Sequence, residues 1–126
     1  MTTAHQNPNN ISISELASLR EQGAAHILLD VRRDIKRAAE ADELSGTIWR
    51  NPALWMDWKD HIATGSPVVV YCAYGHELSQ ALAVCLRALG HDARHLEGGI
   101  DEWRKAGLAT QAIAGLATQA TTRSPS

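Results

Sequence analysis

Apolar positions follow two rhythms along the chain, and their alternation sets the expected order of elements. Strand-length runs rich in β-branched and apolar residues appear at Ile27-Leu28-Leu29-Asp30-Val31, Thr47-Ile48-Trp49, Val68-Val69-Val70-Tyr71-Cys72 and Ala93-Arg94-His95-Leu96. Such runs, bounded by turn residues, read as buried strands. Helical signals lie between them. Ser12-Ile13-Ser14-Glu15 fits a capping box, followed by Leu16 and Leu19 at helical spacing and a stop at Gly23. Residues 32–44 are charged and helix-forming, and Ser45-Gly46 breaks them. Asn51-Pro52 opens a predicted helix over residues 53–63, with Leu54, Trp55, Trp58 and Ile62 at apolar spacing. Further helices are predicted from the turn after Cys72 to about residue 89, stopped by Gly90, and over residues 100–106, stopped by Gly107. Strands that alternate with helices predict an α/β sandwich: a central, mostly parallel sheet with helices on both faces.

The ends of the chain lack these rhythms. Residues 1–10 read as a disordered leader, residues 11–107 as one globular domain, and residues 108–126 as a disordered Ala/Thr-rich tail. The tail carries a short duplication, Gly107-Leu-Ala-Thr-Gln-Ala112 and Gly115-Leu-Ala-Thr-Gln-Ala120, far below the period of a solenoid repeat.

Composition narrows the function classes. With 126 residues, 44% hydrophobic and 21% charged, the chain has material for one buried core. A net charge of -2 supplies no basic field, so neither nucleic acid nor an anionic membrane is an expected partner. The sequence has no apolar stretch of spanning length and no signal-peptide pattern, so the expected compartment is cytoplasmic. In that setting Cys72 and Cys85 read as free thiols.

Cys72 is the residue that carries chemistry. It ends the run Val68-Val69-Val70-Tyr71 and opens the turn Ala73-Tyr74-Gly75-His76-Glu77, which leads directly into a helix. A thiol at a strand exit, facing a helix N-terminus, is placed to act as a nucleophile. Gly75 permits a tight curl of the turn, so that successive N–H groups form an anion cradle.

Three segments together resemble the single-domain rhodanese (thiosulfate sulfurtransferase-like) family: Leu28-Leu29-Asp30-Val31-Arg32, the turn from Cys72 to Glu77, and Leu96-Glu97-Gly98-Gly99-Ile100-Asp101-Glu102-Trp103-Arg104-Lys105-Ala106-Gly107. The resemblance implies a rhodanese-like sandwich in which Cys72 takes up sulfane sulfur as a persulfide. It also implies a persulfide-binding loop made of Ala73, Tyr74, Gly75, His76, Glu77 and Leu78. The expected activity is that of a sulfurtransferase or persulfide carrier, with a small-molecule or protein sulfur donor and acceptor and neither cofactor nor metal. The alternative is a catalytically weak rhodanese-like module that binds or regulates a partner.

The chain departs from the family pattern at Glu77, where many relatives carry Arg or another non-acidic residue, and at Leu78, where a small hydroxyl residue is common. A carboxylate beside the cradle repels thiosulfate, by an amount comparable to the roughly 0.3–1 kcal/mol that an exposed helix terminus offers an anion. A Glu77 that points to solvent instead favours the helix dipole. His76, four residues after Cys72, is a candidate to support the thiolate as an imidazolium. A Cys-dependent phosphatase or arsenate reductase needs an arginine to close the loop, and neither Glu77 nor Leu78 supplies it.

The remaining candidates read mainly as structure. Asp30 and Arg32 sit at a strand end where α/β sites gather, so they are candidate supporting residues, with the fixing of strand ends and loops as their other reading. Cys85 falls at core spacing with Leu82, Leu86 and Leu89. The tryptophans read as core and rim aromatics, and residues 32–37 as a solvated helix face with mixed ion pairs.

Overall fold

The computed structural model describes residues 9–114. Its main sheet has five strands in the order β1-β6-β5-β2-β4, and all four neighbour pairs are parallel. The strands are β1 (Asn10–Ile11), β2 (Ile27–Asp30), β4 (Thr47–Trp49), β5 (Val68–Tyr71) and β6 (Ala93–Leu96). β5 is central and buried along its whole length, which is why it reads as an unbroken apolar run. Successive side chains leave the sheet on opposite faces, and this alternation divides the core in two.

One half holds Leu29, Val31, Val68, Val70 and Cys72 under α4 (Glu77–Ala88), whose Leu82, Ala83 and Leu86 face inward, together with Trp58 and Ile62. The other half holds Leu28, Val69, Tyr71 and Leu96 against Leu16 of α1 (Ile13–Glu21) and against Ile100 and Trp103 of α5 (Gly99–Lys105). Each fully buried aliphatic side chain contributes about 1.5–3 kcal/mol, so both halves are needed to hold so small a domain together. The α/β sandwich with a mostly parallel sheet and helices on both faces is therefore present.

Local chemistry explains several boundaries. Ser12 Oγ accepts from the Glu15 amide at 3.1 Å and Glu15 Oε1 accepts from the Ser12 amide at 2.8 Å, so the capping box is complete. Asn51 Oδ1 accepts from the Ala53 amide at 3.0 Å, but the helix expected over residues 53–63 is shorter. A 3₁₀ turn at Pro52–Leu54 leads into α3 (Trp55–Trp58), and Trp55 packs edge-on against Trp58 with ring centroids 4.8 Å apart.

The charged stretch after β2 divides into α2 (Asp34–Glu40) and β3 (Asp42–Glu43), separated by Ala41 in the left-handed conformation at φ 63°. β3 pairs antiparallel with β7 (Gln111–Ala112). This pairing corrects the tail boundary. Residues 108–113 are ordered: Leu108 packs on the core, Ala109 O accepts from Trp103 Nε1 at 2.9 Å, and Ile113 is buried. At the other end, Asn10 belongs to β1, beside His95 of β6. The rest of the predicted leader and tail, with the second copy of the duplication, lies outside the described residues.

Candidate active site

Cys72 follows the last residue of β5, where the parallel strands end and their loops converge. Its side chain enters the half of the core beneath α4, and the residue is 7% exposed. Among the described residues, the one hydrogen bond made by Sγ joins it to Ser79 Oγ at 3.2 Å, and Ser79 is itself fully buried in the first turn of α4. Residues 73–78 arch above this pair.

The loop is braced at both ends. From its start, Cys72 O accepts from the Ile100 amide at 3.0 Å and Ala73 O accepts from the Asp101 amide at 2.9 Å, so the first turn of α5 holds it down. At its crest, Gly75 has φ 73°, and its carbonyl accepts from Gln80 Nε2 at 2.9 Å. Gly98 and Gly99 form a docking surface for the loop. A Cβ on Gly99 would stand 2.5 Å from Cys72 O, and one on Gly75 would stand 2.5 Å from Gly98 N. Only glycine allows this approach of main chain to main chain. The main-chain N–H groups of residues 73–79 donate to no acceptor among the described residues.

Two shallow grooves flank the loop. One is lined by Arg33, His76, Glu77, Leu78 and Gln80, and the other by Tyr74, Gly75, His95 and Asp101 among others. Tyr74 is 45% exposed, and its hydroxyl accepts from Lys36 Nζ at 3.1 Å, with the ammonium 5.0 Å from the ring centroid. Residues 32–37 therefore contribute more than a solvated face: Arg33 lines a groove and Lys36 holds a loop side chain. Their position directly after the C-terminal end of β2 is the sequence signal for this.

Glu77 is exposed in the first turn of α4, the orientation that suits the helix dipole, while Leu78 packs against the apolar cluster below. The exposed ring of His76 lies 6.0 Å from that of Tyr74, and no described interaction links it to Cys72. Ser79 and Gln80 were not singled out by the sequence reading. No local pattern in the chain marks either of them.

Asp30 and Arg32 are not part of this constellation. Asp30 is in register with Tyr71, and the Arg32 guanidinium lies 5.9 Å from the Tyr71 ring, on the face opposite Cys72. Both are buried. The Asp30 carboxylate accepts from the Arg32 amide (3.0 Å), from Arg32 Nη2 (2.8 Å) and from Arg37 Nε (3.2 Å). Arg32 also donates to Glu40 Oε1 at 2.7 Å and to Asp42 O at 2.7 Å, and Arg104 closes the network on Asp42 Oδ1 at 2.6 Å. This network ties β2, α2, β3 and α5 together.

The charges respond accordingly. Burial alone would lower the Arg32 pKa, but hydrogen bonds and charge from Asp30, with Glu40, raise it. Hydrogen bonds from Arg104 lower Asp42; Glu40 is lowered by Arg32 and Arg104 although its burial opposes this. Burial, with Asp30 nearby, pushes the Tyr71 phenol up. Cys85 is half-buried on the flank of α4 rather than in the core, and both cysteines are free thiols. Among the described residues no helix is long and apolar enough to cross a membrane, and no group of His, Cys, Asp or Glu is arranged to hold a metal.

The rhodanese-like domain family matches residues 12–106, and the chain belongs to that family. Solved structures share its fold. A rhodanese-related protein from Thermoplasma volcanium is 22% identical with a TM-score of 0.72, covering 82% of this chain and 97% of its own. A protein of unknown function from Rhodopseudomonas palustris, described as a possible tyrosine phosphatase, is 22% identical with a TM-score of 0.71, covering 82% and 84%. The thiosulfate sulfurtransferase of Pseudomonas aeruginosa is 23% identical with a TM-score of 0.68, covering 82% of this chain but only 19% of the larger protein. No curated protein sequence matches the chain.

Proposed function

We propose that the protein carries sulfane sulfur as a persulfide on Cys72 and hands it to a thiophilic acceptor. The observation that carries this reading is the position of Cys72 beneath a loop whose N–H groups, from Ala73 to Leu78, donate to no protein acceptor among the described residues. Main-chain donors with no protein acceptor are open to an anion, and an anionic sulfur above Cys72 would provide one.

The reaction balances without an external oxidant. The Cys72 thiolate attacks the terminal sulfur of a donor, the Sγ–S bond forms, and the donor's own bond to that sulfur breaks, its electron pair leaving with sulfite (thiosulfate), a thiolate (glutathione persulfide) or the enolate of pyruvate, which takes up a proton (3-mercaptopyruvate). An acceptor nucleophile then attacks the outer sulfur of Cys72–S–S⁻, and Sγ departs as the thiolate with which the cycle began. At 7% exposure Cys72 admits only an end-on approach, which suits donors that present a terminal sulfur on a narrow stem. Thiosulfate, glutathione persulfide and 3-mercaptopyruvate each present such a sulfur, and Glu77 at the groove weighs against the most highly charged of them.

The burial of Cys72 also favours a second reading, a rhodanese-like module that binds a partner without turnover. Incubation with each donor followed by intact-protein mass spectrometry separates the two. A gain of about 32 Da that depends on Cys72 supports sulfur transfer, and no adduct with any donor supports the binding module. A phosphatase reading has no support at the loop, because Leu78 packs inward where an arginine would be needed to clamp an oxyanion.

A further inference from the structure

Ser79 is fully buried, and its hydroxyl has one hydrogen-bond partner among the described residues, the Sγ of Cys72 at 3.2 Å. The two protonation states of the sulfur treat this hydroxyl differently. When Cys72 is a thiol, either its S–H donates to Ser79 Oγ and the hydroxyl proton has no acceptor among the described residues, or the hydroxyl donates to a thiol sulfur, a weak acceptor. When Cys72 is a thiolate, the hydroxyl donates to the sulfur and both groups are satisfied. A buried O–H with no other acceptor therefore favours the charged sulfur.

We propose that Ser79 is a positioning residue that holds the charge on the inner sulfur, a division of labour with the loop N–H groups that rests on the sulfur-transfer reading above. In the thiolate form the negative charge sits on Sγ, within hydrogen-bond reach of Ser79. In the persulfide it moves to the outer sulfur, beyond Ser79 and toward the loop. When the acceptor takes the outer sulfur, the Sγ–S bond breaks and its electron pair returns to Sγ, where the Ser79 hydroxyl meets it. Ser79 thus assists both the attacking thiolate and the same thiolate as leaving group, and it does not stabilise the loaded state. Because Ser79 belongs to α4 and Cys72 to the exit of β5, the packing of helix on sheet sets the distance between them.

The test is alkylation of Cys72 by iodoacetamide across pH, with Cys72 and Cys85 resolved by peptide mass spectrometry, followed by single-turnover unloading of the persulfide to cyanide. Ser79→Ala removes the hydroxyl at a helical position where alanine is the most favourable residue, and circular dichroism verifies that the variant is folded. The expected result is a fall of about tenfold in the Cys72 alkylation rate at pH 7, with the profile displaced to higher pH and unloading slowed to a similar degree. Ser79→Thr, which keeps the hydroxyl, is expected to restore both. An unchanged alkylation profile in the folded Ser79→Ala protein overturns the proposal. A displaced profile in a protein that takes no sulfur from any donor supports the Ser79–Cys72 pairing and overturns sulfur transfer alone.

Discussion

Gly75 and Gly98 touch main chain to main chain: a Cβ on Gly75 would stand 2.5 Å from the Gly98 nitrogen and 2.9 Å from Leu96 O. This contact joins the crest of the loop above Cys72 to the turn that starts α5. Because Gly75 also has φ 73°, an L-residue there meets backbone strain in addition to the collision. The expected effect of Gly75→Ala is a loss on the order of 2 kcal/mol or more in denaturant unfolding, together with loss of sulfur loading, because the loop lifts from its seat. Retention of wild-type stability and loading would show that the seat is not needed.

Arg32 is expected to matter for stability and not for chemistry. Its guanidinium serves Asp30, Glu40 and the Asp42 carbonyl from a fully buried position, so Arg32→Ala leaves the Asp30 carboxylate buried with less compensation. Removing one partner of a buried ion pair typically costs about 3–5 kcal/mol, and Arg32→Lys is expected to recover little, since an ammonium cannot reproduce the fork. Urea unfolding checks the cost. Alkylation of Cys72 in folded Arg32→Lys is expected to match wild type, because the network lies on the other face of the sheet.

Stability is expected to fall in two stages on acidification. His95 is held below its ordinary pKa, mainly by burial, so the unfolded chain binds that proton more readily. Its contribution declines as the pH drops below about 6.5. Glu40 and Asp42 are lowered by their arginine partners, Glu40 against the opposing effect of burial. The stability they provide is complete above the ordinary carboxylate range of about 4 and is lost as the pH falls through their lowered folded values. Urea midpoints measured between about pH 3 and 8 should show both stages, and His95→Gln should remove the first while leaving the second.

The order of elements was legible because each buried strand and amphipathic helix carries its own pattern, and the capping box at Ser12 and Glu15 marks a helix start within its own four residues. What escaped depends on partners distant in sequence. β3 and β7 are two residues each and gain their order from one another and from the Arg104–Asp42 and Thr110–Asp42 bonds, which no local pattern announces. Cys72 and its loop were visible as a strand–turn–helix junction. Ser79 was not, because a serine one turn into a helix looks ordinary until the fold brings its hydroxyl to the sulfur.

The ordered end of the domain gives a further expectation. Ile113 is 6% exposed and sits beside β7, so Ile113→Ala should cost about 2 kcal/mol if residues 108–113 are part of the folded unit. A cost near zero in thermal or urea unfolding would return this segment to the tail.

The most direct test of sulfur carriage on Cys72 is the mass of the intact protein after exposure to thiosulfate, 3-mercaptopyruvate or glutathione persulfide. The expected result is an added sulfur of about 32 Da on wild type, removed by cyanide and absent from Cys72→Ala. An adduct that persists in Cys72→Ala, or no adduct from any of the three donors, would contradict it.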